Sequence, residues 1–180
     1  MHLDPDRDSL FLLTVGVQSP QNPARMVRLK LSTLDQPSLI RFTDETGHLL
    51  PTTRDFAWIP PLQKFLLLPD MGSSLYLADP DTGHATLFLR APTLNGKPRW
   101  VEGAGVLIPM PERAEIWLVN PINQQIQRIP TQMGVRSADI DVSHGLLLTA
   151  SVLTGQVWVQ DLEGHLRGRL GTVMPMIREI

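Results

Sequence analysis

The chain has 180 residues, 42% of them hydrophobic and 19% charged, with 16 basic side chains against 18 acidic ones for a net charge of −2. That composition fits one globular domain and excludes a global field able to draw the protein onto nucleic acid or an anionic membrane. The absence of cysteine excludes a disulfide framework, a thiolate zinc site and a cysteine nucleophile.

From the N-terminus, Met1-His2-Leu3-Asp4-Pro5-Asp6-Arg7-Asp8 lacks a basic segment followed by an apolar one, so no secretory signal is expected. The apolar run from Leu10 to Val17 is far shorter than the roughly 20 residues a membrane-spanning helix needs, which makes a soluble, cytoplasmic protein the expectation. Asp4, Asp6 and Asp8 share the spacing of a calcium-loop opening but lack the glycine and distal glutamate that complete one, and they read as a solvated turn.

Leu10 to Val15 predicts a first strand and Gln18 to Pro23 a long turn. The alternation in Met26-Val27-Arg28-Leu29-Lys30-Leu31 predicts a strand with one wet face, and Ser38 to Phe42 follows as a third. This first unit shows three strands. The second is fuller: Phe56 to Ile59, a turn at Pro60-Pro61-Leu62-Gln63, Phe65 to Leu68, then a hairpin. Its strands are Ser74-Leu75-Tyr76-Leu77-Ala78 and Ala85 to Leu89, joined by Asp79-Pro80-Asp81-Thr82-Gly83, where an Asp side chain can bond local N–H groups and Gly can supply positive φ. Trp100 to Glu102, Val106 to Ile108, Glu115 to Val119 and Gln125 to Ile129 make a third unit, and Ala138 to Val142, Leu146 to Ser151, Val157 to Val159 and Leu166 to Leu170 a fourth. No window holds helical spacing for ten residues, so the class is all-β.

The hairpin phrase at Leu75 returns at Ile116 and again at Val157, a step of 41 residues each time. Units of four short strands at that period predict a β-propeller-like domain of about four blades, over approximately 1–50, 54–90, 99–130 and 136–171, as one domain spanning 1–180. The segment Leu75-Tyr76-Leu77-Ala78-Asp79-Pro80-Asp81-Thr82-Gly83, with its two echoes, resembles the blades of YVTN, NHL and gluconolactonase-type propellers. The resemblance runs from about Asp55 to Gly171 and implies that the first strand of each blade lines a central channel. Residues 172–180 would then begin a further inner strand or supply the one missing from blade one, so three architectures stand side by side: a self-closed ring, a homodimer closed by strand completion between chains, and a piece of a longer propeller.

Arg54, Arg99, Arg136 and Arg178 each stand just before a predicted inner strand, so their guanidiniums are expected at one mouth of the channel, where planar cations suit a carboxylate or phosphate. Nearby acids, Asp55, Glu102, Asp139 and Glu179, offer the structural alternative of ion pairs that tie blades together. His2, His48, His84, His144 and His165 stand alone and carry no metal-ligand spacing, and no nucleophile elbow or phosphate loop is present, so no catalytic residue, metal or cofactor is assigned. Trp117 and Trp158 repeat the position of Tyr76 and read as packing between blades. The expected function is a non-catalytic platform for a protein partner or an anionic small molecule. The resemblance leaves a second reading open, a lactonase-like metal-dependent hydrolase drawing on Asn95, Glu102 and Asp139. A third is a fragment without independent function.

Overall fold

In a computed structural model, the described residues form sixteen strands in four antiparallel sheets of four consecutive strands each. The residues described are 1–14, 25–34, 37–50, 52–69, 73–92 and 96–172. Sheet 1 holds β1 (His2–Asp4), β2 (Ser9–Thr14), β3 (Arg25–Lys30) and β4 (Ser38–Ile40). Sheet 2 holds β5 (Thr53–Ile59), β6 (Lys64–Pro69), β7 (Ser74–Ala78) and β8 (Ala85–Arg90). Sheet 3 holds β9 (Arg99–Val101), β10 (Gly105–Met110), β11 (Glu115–Val119) and β12 (Ile126–Pro130), and sheet 4 holds β13 (Val135–Asp141), β14 (Leu146–Ser151), β15 (Gln156–Asp161) and β16 (Leu166–Thr172). One 3₁₀ turn, Pro60–Leu62, interrupts the strands, its Pro-Pro start disfavouring a continued ladder.

The first unit therefore has four strands and not three. Its inner strand is β1, paired through His2 with Phe11 and through Asp4 with Ser9. At three residues β1 is too short to show a two-residue period, which is why the sequence pattern passes over it. The closing strand expected at 172–180 lies, apart from Thr172 at the end of β16, outside the described residues.

The chain divides into two compact units, residues 1–90 and 91–180. In the first, Phe11 and Met26 of sheet 1 share a core with Phe56, Phe65 and Leu67 of sheet 2. Phe65 is its centre, meeting Phe11 at 4.9 Å, Trp58 at 5.0 Å and Phe56 at 5.2 Å, all edge to face. That geometry brings positive ring edges to negative faces and adds about 1 kcal/mol per pair to the burial itself. In the second unit, Leu107, Ile116 and Ile129 of sheet 3 share a core with Ala138, Ile140 and Leu147 of sheet 4. Each fully buried Leu or Ile contributes about 2 kcal/mol by leaving water.

A polar seam accompanies that second core. The Gln160 amide donates to the Pro130 and Gly164 carbonyls at 2.9 and 3.0 Å, while its oxygen accepts from Thr131. Gln132 donates to the Thr149 and Gln156 carbonyls and accepts from the Thr154 hydroxyl at 2.8 Å. Both glutamines are buried, so these bonds discharge polar groups that would otherwise be costly to desolvate.

The hairpin turns repeat as the strands do. Asp79 Oδ1 accepts the N–H groups of Asp81 and Thr82, Asn120 Oδ1 those of Ile122 and Asn123, and Asp161 Oδ1 those of Glu163 and His165. Gly83 closes the first of these turns at φ +74, and a Cβ there would lie 2.2 Å from the Arg41 carbonyl oxygen. Only glycine fits.

Candidate functional site

Arg54 and Arg136 lie within the inner strands and not ahead of them, each at a β-bulge: between Thr53 and Asp55 in β5, and between Val135 and Ser137 in β13. They are two 41-residue steps apart and occupy equivalent positions. A bulge inserts an unpaired residue and re-aims its side chain, so both arginines leave the ladder at the same place in their own sheets. Arg136 is exposed and Arg54 half-buried.

Arg99 occupies a different place. It is the first residue of the short β9 and stands opposite Leu107, the register that Asp139 holds opposite Leu148 in sheet 4. Arg99 Nη2 pairs with Asp139 Oδ2 at 2.9 Å, and Asp139 Oδ1 accepts the N–H of Ile140 at 3.0 Å. Asp139 therefore serves a part-exposed ion pair between inner strands, the kind of contact worth under about 1 kcal/mol. Arg178 lies outside the described residues.

The residue that meets Arg136 is Lys97, which the sequence reading leaves out. Its main-chain N–H donates to the Arg136 carbonyl at 3.0 Å, and the Gly96 N–H donates to the Pro109 carbonyl at 2.8 Å. A Cβ on Gly96 would sit 2.6 Å from the Arg136 oxygen, so a residue without a side chain lets this segment run against the start of β13. The available signal is the Gly-Lys-Pro run just before Arg99. In the second unit Lys97 is thus tied through its main chain to Arg136, and Arg99 is paired with Asp139. Arg136 has no acidic partner among the described residues.

Two other polar clusters are occupied by local bonds. Ser143 Oγ donates to Asp141 Oδ1 at 2.6 Å, and His144 Nδ1 lies 2.9 Å from that hydroxyl and 2.7 Å from Asp141 Oδ2. A catalytic triad needs the serine and the acid on opposite ring nitrogens, and here one nitrogen meets both, so the three residues build a turn. The Ser143 hydroxyl first, and His144 after it, hold the Asp141 carboxyl down to about 2. Asp161, Glu163 and His165 bring one ligand-type atom each within 4.8 Å of one another, but Asp161 Oδ2 already holds the Arg167 guanidinium at 2.8 Å and His165 Nδ1 at 3.1 Å.

In the aspartate run at the N-terminus, Asp4 accepts both the N–H and the guanidinium of Arg7, while Asp8 accepts from Ser32, so the carboxylates have separate jobs. Of the hydrolase donors, Glu102 accepts from the Trp100 indole at 3.1 Å, Asp139 holds Arg99, and Asn95 lies outside the described residues. The first unit also has a shallow depression of about 260 Å³ among Arg7, Ser9, Arg28, Lys30 and Ser38. Its central guanidinium, Arg28, is held by Asp81 at 2.7 Å and by Ser9 Oγ at 2.8 Å.

Trp117 and Trp158 each lie beneath an arginine from the neighbouring strand, Arg128 and Arg169, with 5.2 Å from guanidinium carbon to ring centre in both. Their indole N–H groups donate two residues back, to Glu115 and Gln156. One arrangement is thus repeated in sheets 3 and 4.

No protein-family model matches the sequence, and no curated protein sequence matches it. Solved structures do match the backbone. One is hydrazine synthase from Kuenenia stuttgartiensis, at a TM-score of 0.66 and 13% identity over 93% of this chain and 47% of that one. Another is the beta-propeller domain of Cps50 (Swd1) from Myceliophteria thermophila, at a TM-score of 0.64 and 14% identity over 97% of this chain and 55% of that one. The fold is that of a β-propeller. The four sheets are its blades, and the chain spans about half the length of each of these neighbours. Among the described residues no helix is long and apolar enough to cross a membrane.

Proposed function

We propose that this chain is a non-catalytic propeller module whose inner-strand starts receive an anionic group, a carboxylate or phosphate, carried by a protein partner or a small molecule. Blades of the YVTN or NHL kind belong to this reading, supported by the 41-residue recurrence of the hairpin phrase. The observation that carries it is Arg136: exposed, aimed out of the ladder by a bulge, bonded through its carbonyl to Lys97, and without an acidic partner among the described residues. An exposed guanidinium at a strand end offers a planar fork to an incoming anion, and Lys97, tied to Arg136 through its main chain, adds a second basic residue to this stretch. Arg54 provides the equivalent position in blade two, and Arg99, held by Asp139, sets the edge of the patch.

Titration calorimetry with citrate and with tripolyphosphate at low salt tests it. The expected result is saturable binding that weakens about tenfold in Arg136→Ala and in Lys97→Ala and fades as salt is raised. Binding that is absent, or unchanged in both variants, overturns the reading.

A further inference from the structure

Equivalent seams in the two units are filled differently. In sheet 1, Met26 stands opposite Ile40, and two residues on, Arg28 stands between Phe11 and Ser38. In sheet 3, Ile116 stands opposite Ile129, and two residues on, Leu118 stands between Leu107 and Gln127. Register therefore puts Arg28 where the second unit has Leu118. The facing hairpin turns match as well: Asp79 and Asp161, two 41-residue steps apart, are followed by Pro80 and Leu162.

In the second unit the seam is closed. Leu118 and Leu162 both pack against the core, and the Gln127 amide donates to the Leu162 carbonyl at 3.1 Å. In the first unit a guanidinium takes the place of the leucine, and two adjoining depressions of about 260 and about 340 Å³ lie there, with Arg28 and Ser38 lining both.

The lining carries an excess of positive charge. Arg7, Arg28, Lys30 and Arg41 stand against two carboxylates, Asp8 and Asp81. Asp8 is taken up by Ser32, whose N–H and hydroxyl it accepts. Arg28 is set in place: its guanidinium carbon lies 5.5 Å from the Phe11 ring centre, Nε donates to the buried Ser9 hydroxyl and Nη1 to Asp81. Those bonds use two of the five N–H groups a guanidinium carries. The Asp81 side chain is 56% exposed, so its ion pair is weak enough for an incoming anion to replace it. Lys30 and Arg41 are exposed and have no acidic partner among the described residues.

This lining selects a class of ligand. A guanidinium fork with an ammonium beside it suits a phosphate, while the Ser38 and Thr82 hydroxyls and the Asp81 carboxylate suit alcohol groups. Among the described residues no aromatic ring lines either depression, which leaves a nucleobase without a stacking surface. We propose that the seam between blades one and two binds a phosphorylated polyol, a sugar phosphate, with the phosphate on Arg28 and Lys30 and the hydroxyl-bearing end toward Arg41, Asp81 and Thr82. The site lies within the first unit, uses neither Arg136 nor Lys97, and stands or falls apart from the basic stretch of the second.

The experiment is an amide NMR titration of the full chain at low salt with glucose 6-phosphate, orthophosphate and glucose. Saturable glucose 6-phosphate binding should move the amides of Ser38, Arg41 and Thr82, about fivefold more tightly than orthophosphate does, with no response to glucose alone. Lys30→Ala and Arg41→Ala, both at exposed positions, should each weaken it about tenfold, and thermal melts check that the fold is kept. Arg90→Ala, which removes the same charge from an exposed position on β8, should leave it unchanged. Asp81→Asn should tighten orthophosphate binding, because a competing carboxylate leaves Arg28. Shifts confined to Gly96, Lys97 and Arg136 would belong to the other unit and overturn the proposal. So would binding that is absent, no tighter for glucose 6-phosphate than for orthophosphate, or unchanged in both Lys30→Ala and Arg41→Ala. If either alanine variant unfolds, Lys30→Gln and Arg41→Gln read the same outcomes.

Discussion

The His2 ring stacks on the Trp58 indole at 4.9 Å with 24° between their planes, and His2 Nε2 is buried with no hydrogen-bond partner among the described residues. Burial is the largest influence on this imidazole and pushes its pKa below the usual value of 6.5. Asp4 opposes the shift, while the N-terminal ammonium and Arg7 reinforce it. The folded state therefore resists a proton that the unfolded chain accepts.

Above about pH 6.5 the ring is neutral in both states and contributes no pH dependence, and below it the unfolded state gains protons first. Stability is expected to fall as pH drops from 7 to 5. Urea melts across that range check this, and His2→Phe, which keeps the stack and removes the titration, should flatten the slope.

Asp141 titrates in a separate window. Its carboxyl is held down to about 2 from 3.8, chiefly by the Ser143 hydroxyl, so its contribution is fully present above about pH 4 and is lost as pH falls through about 2. Carbon-detected NMR titration should show the Asp141 carboxyl still ionised at pH 3. Ser143→Ala should move its midpoint upward.

Gly83 and Gly145 separate steric strain from backbone strain. Both have positive φ, +74 and +63, but a Cβ on Gly83 would meet the Arg41 carbonyl at 2.2 Å, whereas one on Gly145 would meet nothing within 4 Å. Gly145→Ala should cost about 1 kcal/mol, the left-handed penalty alone, and Gly83→Ala about 3 kcal/mol or more. Chemical denaturation of the two variants gives the comparison directly. Equal losses would mean that the Arg41 carbonyl moves aside freely.

Gln160 is 1% exposed, and four groups bond to it: the carbonyls of Pro130 and Gly164 and the hydroxyls of Thr131 and Thr149. Gln160→Leu keeps the volume and strands those groups, with an expected loss of about 2 kcal/mol. Gln127→Leu removes a single exposed bond to the Leu162 carbonyl and should cost well under half as much, as read by thermal melts.

The residues that repeat were the readable ones. Leu75, Ile116 and Val157 mark the third strand of three blades because each is followed by an alternating strand and an Asp or Asn turn, features set by two-residue periodicity and local side-chain bonding. The inner strand at His2–Asp4 was hidden by its shortness. Arg99 was misplaced for a related reason: β9 has three residues where β5 and β13 have seven, so counting from the strand start shifts its register against Arg54 and Arg136. Lys97 is positioned by the main chain of Gly96 packing on the Arg136 carbonyl, a tertiary contact with no sequence period. The guanidiniums of Arg128 and Arg169, by contrast, follow the same 41-residue step as the tryptophans they cover and were available to a reading that paired cations with aromatics.

Every sheet is made of four strands consecutive in the chain, and three of the hairpin turns are held by an Asp or Asn side chain bonding N–H groups two to four residues on. The entropy of loop closure is thus met in short segments before any blade meets another. Folding can begin in whichever hairpin forms first and spread to its neighbours. The same locality means that a 41-residue segment can be duplicated or removed without rethreading what remains, so the number of blades is free to change during descent while each blade keeps its own fold.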